Sequence, residues 1–205
     1  MCILEVFNLN TSFFVSYGII LMFMMKKIFL CFVFVTMFVG CNRMTETNKN
    51  LSYINYQGYY EAIEENTRFN SELLYYSLDG KMSVLPDGTY RYYVFLENPQ
   101  IAMYNVIFLG VENDIPFAQA DKMMPSIGIF ETQKYNLIPY QSNPSRGYVK
   151  GLVISGETTD PTIRLKLLIE WTDKSHEKIT REYFICNLDE NSFTIDTMDD
   201  LNRSN

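Results

Sequence analysis

The chain has 205 residues, 47% of them apolar and 20% charged, with a net charge of −7. That length suits one domain plus extra segments, and the apolar share supports a sizeable core without disulfide or metal staples. The acidic balance excludes clamping a nucleic-acid backbone as the main task, which needs Lys and Arg to displace counterions, and a lone histidine leaves His-based chemistry a single candidate.

The apolar residues are concentrated near the start. From Phe13 to Gly40 the only charged side chains are Lys26 and Lys27. They are followed by twelve residues, Ile28 to Val39, in which Thr36 is the only polar side chain, and then by Gly40 and Cys41. A basic n-region, a short apolar h-region and a small residue at the cut are the parts of a secretory signal. Beyond Cys41 the run Asn42 to Asn50 is polar. Each apolar run is shorter than the ~20 residues that cross a bilayer, and joining them would bury both lysines at ~2.5 to 3.5 kcal/mol each. The signal therefore reads best as beginning at Met24 or Met25.

The stretch Phe38-Val39-Gly40-Cys41 resembles the lipobox of bacterial lipoproteins, with Phe38 and Val39 standing where that family usually has Leu and then Ala or Ser. The resemblance implies diacylglycerol on the Cys41 thiol, cleavage just before it and Cys41 as the new N-terminus. It covers Met24 to Cys41 and is silent on the fold beyond. The domain plan that follows is a leader over 1–40, the lipidated cysteine and a polar tether over 41–50, a β-rich extracytoplasmic domain over 51–190, and an edge strand with an acidic tail over 191–205. Removing the leader, with Lys26, Lys27 and Glu5, leaves 15 basic and 23 acidic residues. Such a domain is not drawn to an anionic membrane by charge, so the lipid anchors it, two acyl chains holding stably where one does not. The tether, as flexible coil, spans roughly 15 to 18 Å.

Past the tether, Tyr59 to Thr67 is the expected short helix, with Tyr60 and Ile63 at helical spacing and Glu61, Glu64 and Glu65 on a polar side. Leu73 to Leu78 is a candidate first strand. Leu85-Pro86-Asp87-Gly88 is a turn, Pro presetting φ and Gly closing it. The strand Thr89 to Glu97 turns Tyr90, Tyr92, Val94 and Leu96 to one face and stops at Asn98-Pro99. Ile101 to Val111 is almost continuously apolar, as in a strand covered on both faces. Further strands are expected over Ser126 to Phe130, Tyr135 to Tyr140 and Tyr148 to Ser155, with a break from Gly156 through Pro161.

The clearest element is Thr162 to Trp171, where Ile163, Leu165, Leu167, Ile169 and Trp171 alternate with Arg164, Lys166 and Glu170. Lys178 to Leu188 alternates again, with Ile179, Tyr183 and Ile185 on one side and Thr180, Glu182, Phe184 and Cys186 on the other, so the two read as a hairpin, with Glu182 opposite Arg164 or Lys166. Short strands separated by turns predict a mainly β fold, an antiparallel β-sandwich of immunoglobulin-like type with a short N-terminal helix, although the Cys, Trp, Cys signature of true immunoglobulin domains is absent.

No catalytic, cofactor-binding or metal residue is assigned. Ser175-His176-Glu177 is a triplet by composition only, because chain neighbours cannot converge as a triad. The acids near the C-terminus, Asp196, Asp199 and Asp200, lack calcium-loop spacing, and no glycine-rich run or Cys/His cluster fits a phosphate or a metal. Cys186, the one cysteine of the exported domain, reads as a small buried hydrophobe. Fifteen tyrosines, among them Tyr53, Tyr56, Tyr59, Tyr60, Tyr90, Tyr92 and Tyr93, serve either sheet packing or the binding of a protein partner or sugars.

The expected function is a lipoprotein on the extracytoplasmic face of the cell membrane, or of the outer membrane where the host has two. It acts as an interaction module for another envelope or surface protein, with no nucleic-acid partner and no cofactor. The alternative is an envelope hydrolase acting on cell-wall or carbohydrate material through paired carboxylates. A solute-binding lipoprotein of a transporter does not fit the length.

Overall fold

The computed structural model describes residues 48–196. A helix, α1, spans 48–64. Ten strands follow: β1 Ser77–Val84, β2 Tyr90–Glu97, β3 Tyr104–Glu112, β4 Ser126–Ile127, β5 Asn136–Leu137, β6 Tyr148–Val149, β7 Gly151–Thr158, β8 Thr162–Thr172, β9 Ile179–Asp189 and β10 Phe193–Ile195. The fold is mainly β, as the alternation predicts. The helix is longer and earlier than Tyr59 to Thr67: it already includes 48–50, read from sequence as tether, and stops before Glu65.

Two antiparallel sheets make the sandwich. One has the order β1-β2-β7 and the other β10-β9-β8-β3-β4, while β5 and β6 form a short parallel pair. Between the large sheets lies a core that includes Tyr92, Val94 and Leu96 from β2, Leu152 and Ile154 from β7, and Ile163, Leu165, Leu167, Ile169 and Trp171 from β8. Phe184, Cys186 and Leu188 of β9 close it. The period-two faces read from the sequence for β2 and β8 are therefore the ones buried, while in β9 the core takes the side of Phe184, Cys186 and Leu188, and Ile179 on the other side is exposed.

The other face of the five-stranded sheet is covered by α1, whose Tyr56, Tyr60 and Ile63 pack on Leu109, Val111, Met124, Ile129 and Leu168. This third layer is why β3 is nearly all apolar and why Leu167, Leu168 and Ile169 are buried in succession. α1 lies across that sheet. Its Tyr56 meets Met124 and Phe130, which flank edge strand β4, while Ile63 and Glu64 line a depression with Lys166 of β8.

The turns obey their residues. In the β1–β2 hairpin Leu85 N–H donates to Thr89 O at 2.7 Å, Gly88 has φ +84°, and the Asp87 carboxylate accepts from the N–H and hydroxyl of Thr89. The β8–β9 hairpin forms as predicted, but its register sets Glu182 opposite Ile169, and Arg164 opposite Asn187. Glu182 accordingly pairs with neither Arg164 nor Lys166. β7 runs on to Thr158, through the expected break at Gly156, because Gly156 lies under the Tyr92 ring, where a Cβ would strike it. Trp171 sits in the core with Tyr75 and Tyr76 edge-on to it, and Cys186 is a buried free thiol.

Candidate functional site

Concave surface occurs at both ends of the sandwich, which the β2–β7 register defines: Glu97 pairs with Gly151 at one end and Tyr90 with Thr158 at the other.

At the first end three connections meet around a cleft of about 540 Å³. Asn98, Pro99 and Gln100 come from the β2–β3 loop, Ile138 to Gln141 follow β5, and Lys150 lies between β6 and β7. The walls are fixed by local bonds. Asn98, at φ +52°, donates from its amide to Ser77 Oγ at 2.9 Å, Gln100 N–H donates to Tyr75 O at 2.7 Å, and the Gln100 amide donates to Asn98 O at 2.9 Å. Gln141 N–H donates to Ile138 O at 3.1 Å, which closes a turn over Ile138-Pro139-Tyr140-Gln141.

Tyr140 is the unusual member. Its relative exposure is 108%, and its φ is +61° at the third position of a turn whose second residue is Pro139. A positive φ at that position suits Gly or Asn, and for a bulky side chain it is an outlier that surrounding structure must hold. An aromatic ring is thus projected into solvent beside a cleft of amides, two prolines and one ammonium group. The sequence reading extended a strand to Tyr140; Pro139 was the overlooked signal, since proline here starts a turn.

At the opposite end lies a charged cleft of about 420 Å³, with Arg91, Tyr93, Glu112, Lys122, Ser155 and Glu157 among its walls. A neighbouring depression shares Glu112, Lys122 and Glu157 and adds Asp87, Asp121 and Asp160. Glu112 is almost fully buried. It accepts from Tyr92 Oη at 2.6 Å and pairs with Lys122 Nζ at 2.7 Å, while Glu157 is held by Arg91. The one buried carboxylate of the cleft, Glu112, is thus engaged by a cation and a phenol, and the exposed Glu157 by a cation. Among the described residues no group of three or more His, Cys, Asp or Glu is placed to hold a metal ion.

The tyrosines divide. Tyr56, Tyr60 and Tyr92 are buried, Tyr53 is half-exposed on α1, and Tyr93 stacks on Phe95 on the outer face of the three-stranded sheet at 6.3 Å. Three of them serve buried carboxylates: Tyr92 bonds Glu112, Tyr59 bonds Glu170 at 2.9 Å and Tyr76 bonds Glu182 at 2.5 Å. Burial first, and then the neighbouring carboxylate, push these three phenols well above their ordinary range, so each remains a donor. Burial likewise raises the Cys186 thiol and keeps it un-ionised.

His176 lies in the β8–β9 turn at φ +62°, its Nδ1 3.0 Å from both the Asn105 amide and the Thr172 hydroxyl. Ser175 Oγ donates to Asp173, not to His176, so the Ser-His-Glu triplet forms no relay. Asp196 accepts from Asn187 at 2.6 Å and faces Arg164, whereas Asp199 and Asp200 lie outside the described residues. Cys41 and the whole leader lie outside them too. Among the described residues no helix is long and apolar enough to cross a membrane. Compared with protein-family models, with curated proteins and with solved structures, the chain has no match.

Proposed function

We propose that this protein is a lipid-anchored, extracytoplasmic interaction module of the bacterial envelope, tethered through Cys41 and engaging a protein partner through the cleft beside Tyr140. The observation that carries the reading is Tyr140 itself. A fully exposed tyrosine in a backbone conformation that glycine would occupy more cheaply confers no packing benefit on the fold, and such strain is retained where a surface is used. Tyrosine offers a rigid apolar face with a polar tip, and the adjoining amides of Asn98, Gln100 and Gln141 supply donors and acceptors for a peptide backbone. The anchor is supported by the lipobox-like Phe38-Val39-Gly40-Cys41.

The test is a photo-crosslinking amino acid in place of Tyr140 in intact cells, with the same group in place of Val153 on the outer face of β7 as control. The expected result is a discrete adduct with one envelope protein from position 140 and none from 153. Equal, diffuse labelling from both positions would overturn the reading. The hydrolase alternative places its chemistry in the Glu112 cleft, where several carboxylates share one depression. It predicts hydrolysis of purified cell-wall material by the wild type and its loss in Glu112→Gln.

A further inference from the structure

The outer surface of α1 carries apolar side chains that the sandwich does not cover. Leu51, Tyr53 and Ile54 are 56%, 48% and 63% exposed. They continue into an aromatic cluster in which Tyr53 lies 6.2 Å from Phe117 and Tyr56 lies 5.5 Å from Phe130, itself 42% exposed. Solvent-facing leucine and isoleucine one turn apart on a helix are not needed for the core, which Tyr56, Tyr60 and Ile63 already supply.

Position and charge indicate what covers them. Leu51 is ten residues after Cys41. A chain extends at most ~3.3 to 3.6 Å per residue, so the seven steps from Cys41 to the first described helical residue reach no further than about 25 Å. Between Asn48 and Tyr60 the only charged side chain is Lys49, whereas the acids Glu61 and Glu64 lie in the last turn, Glu64 beside Lys166 of β8, and Glu65 follows directly. Glu131, next to Phe130, turns back to accept from the Gly128 N–H at 2.8 Å. The half of α1 nearest the proposed anchor thus carries no acid and one cation, with Leu51, Tyr53 and Ile54 outward beside Asn48, Asn50 and Asn55. An apolar patch flanked by neutral polar side chains and free of negative charge can rest on a membrane–water interface without repelling anionic headgroups.

We infer that the first half of α1, through Leu51, Tyr53 and Ile54 with Phe130 beside them, seats on the lipid surface and fixes how the domain stands on the membrane. The inference rests on acylation of Cys41, which holds these side chains near the headgroups and lets a weak apolar contact suffice through its high effective concentration.

The test uses the full, processed protein added to vesicles of phosphatidylethanolamine and phosphatidylglycerol, with no other protein present. Variants Ile54→Cys and Val153→Cys are compared for reaction with a membrane-impermeant maleimide, Cys186 being buried and unreactive. Both positions are solvent-exposed in the domain, at 63% and 45%. The expected result is labelling at position 54 at least tenfold slower than at 153, with quenching by spin-labelled lipid of a dye attached through Ile54→Cys. Equal labelling with Cys41 acylated by intact mass overturns the seating and leaves the anchor standing. An unmodified Cys41 overturns both.

Discussion

Each of the three most buried charged residues, Glu112, Glu170 and Glu182, takes a tyrosine hydroxyl, and two also take a cation, Lys122 for Glu112 and Arg181 for Glu170. Glu182 has the phenol of Tyr76 alone. Burial holds its carboxyl above the ordinary value of 4.5, and the Tyr76 bond offsets that only in part. A carboxyl raised in the folded state contributes stability in full below its unfolded value and loses it as pH rises through the folded one. Glu182→Gln cannot ionise, while its amide oxygen can still accept from Tyr76. The stability of Glu182→Gln relative to wild type should therefore increase between pH 4 and pH 7, measured as urea midpoints; a flat difference would mean that burial exerts no such strain. At Tyr140 a second residue-scale expectation arises. Replacing it by glycine removes a left-handed conformation costing roughly 1 to 2 kcal/mol in an L-residue but loosens the unfolded chain by about 0.4 to 1 kcal/mol. Tyr140→Gly should thus melt at or slightly above wild type, while the partner identified by crosslinking no longer co-purifies with it.

At the scale of elements, what the sequence made legible follows from how many faces each strand buries. β2, β8 and β9 expose or charge one side, so alternation revealed them to within two residues. β3 betrayed its double coverage by a continuous apolar run, but nothing in that run said that a helix was the cover. β4 and β5 are shorter than the strands expected over Ser126 to Phe130 and Tyr135 to Tyr140, and the second of these hides the turn over Ile138 to Gln141, because two-residue strands carry no period. The partners of Glu182 and Glu112 were illegible, since a register and a tyrosine tens of residues away decide them. Gly156 misled in the same manner. It looked like a breaker, yet it is a strand residue made small by a ring from the neighbouring strand. Gly156→Ala should displace Tyr92 from Glu112 and cost roughly 1 to 3 kcal/mol, seen as a lowered denaturation midpoint with an unchanged m-value.

For the whole molecule, the two sheets differ in how they meet solvent. The five-stranded sheet is packed on one face by the three-stranded sheet and over β3 and part of β8 by α1, with Ile179 and Arg181 of β9 left exposed, and the outer face of the three-stranded sheet is open, where Tyr93 and Phe95 stack and Val153 is exposed. A domain with one helix-covered side and clefts at its two ends suits presentation from a fixed base. The attachment itself is the decisive expectation: Cys41→Ser should accumulate as an uncut precursor without acyl mass, detected by mass spectrometry of the membrane fraction, and a trimmed, membrane-bound Cys41→Ser protein would remove the lipoprotein reading.

The buried thiol of Cys186 has a further consequence. It stands on β9 with no partner sulfur in the described domain, walled in by Phe184 and Leu188 on its own strand and by the facing sheet. Thiol oxidation therefore has no pair to cross-link within the described domain, and disulfide isomerisation has nothing to correct. Its melting temperature should be the same with and without dithiothreitol, so the domain matures equally well in reducing and oxidising surroundings.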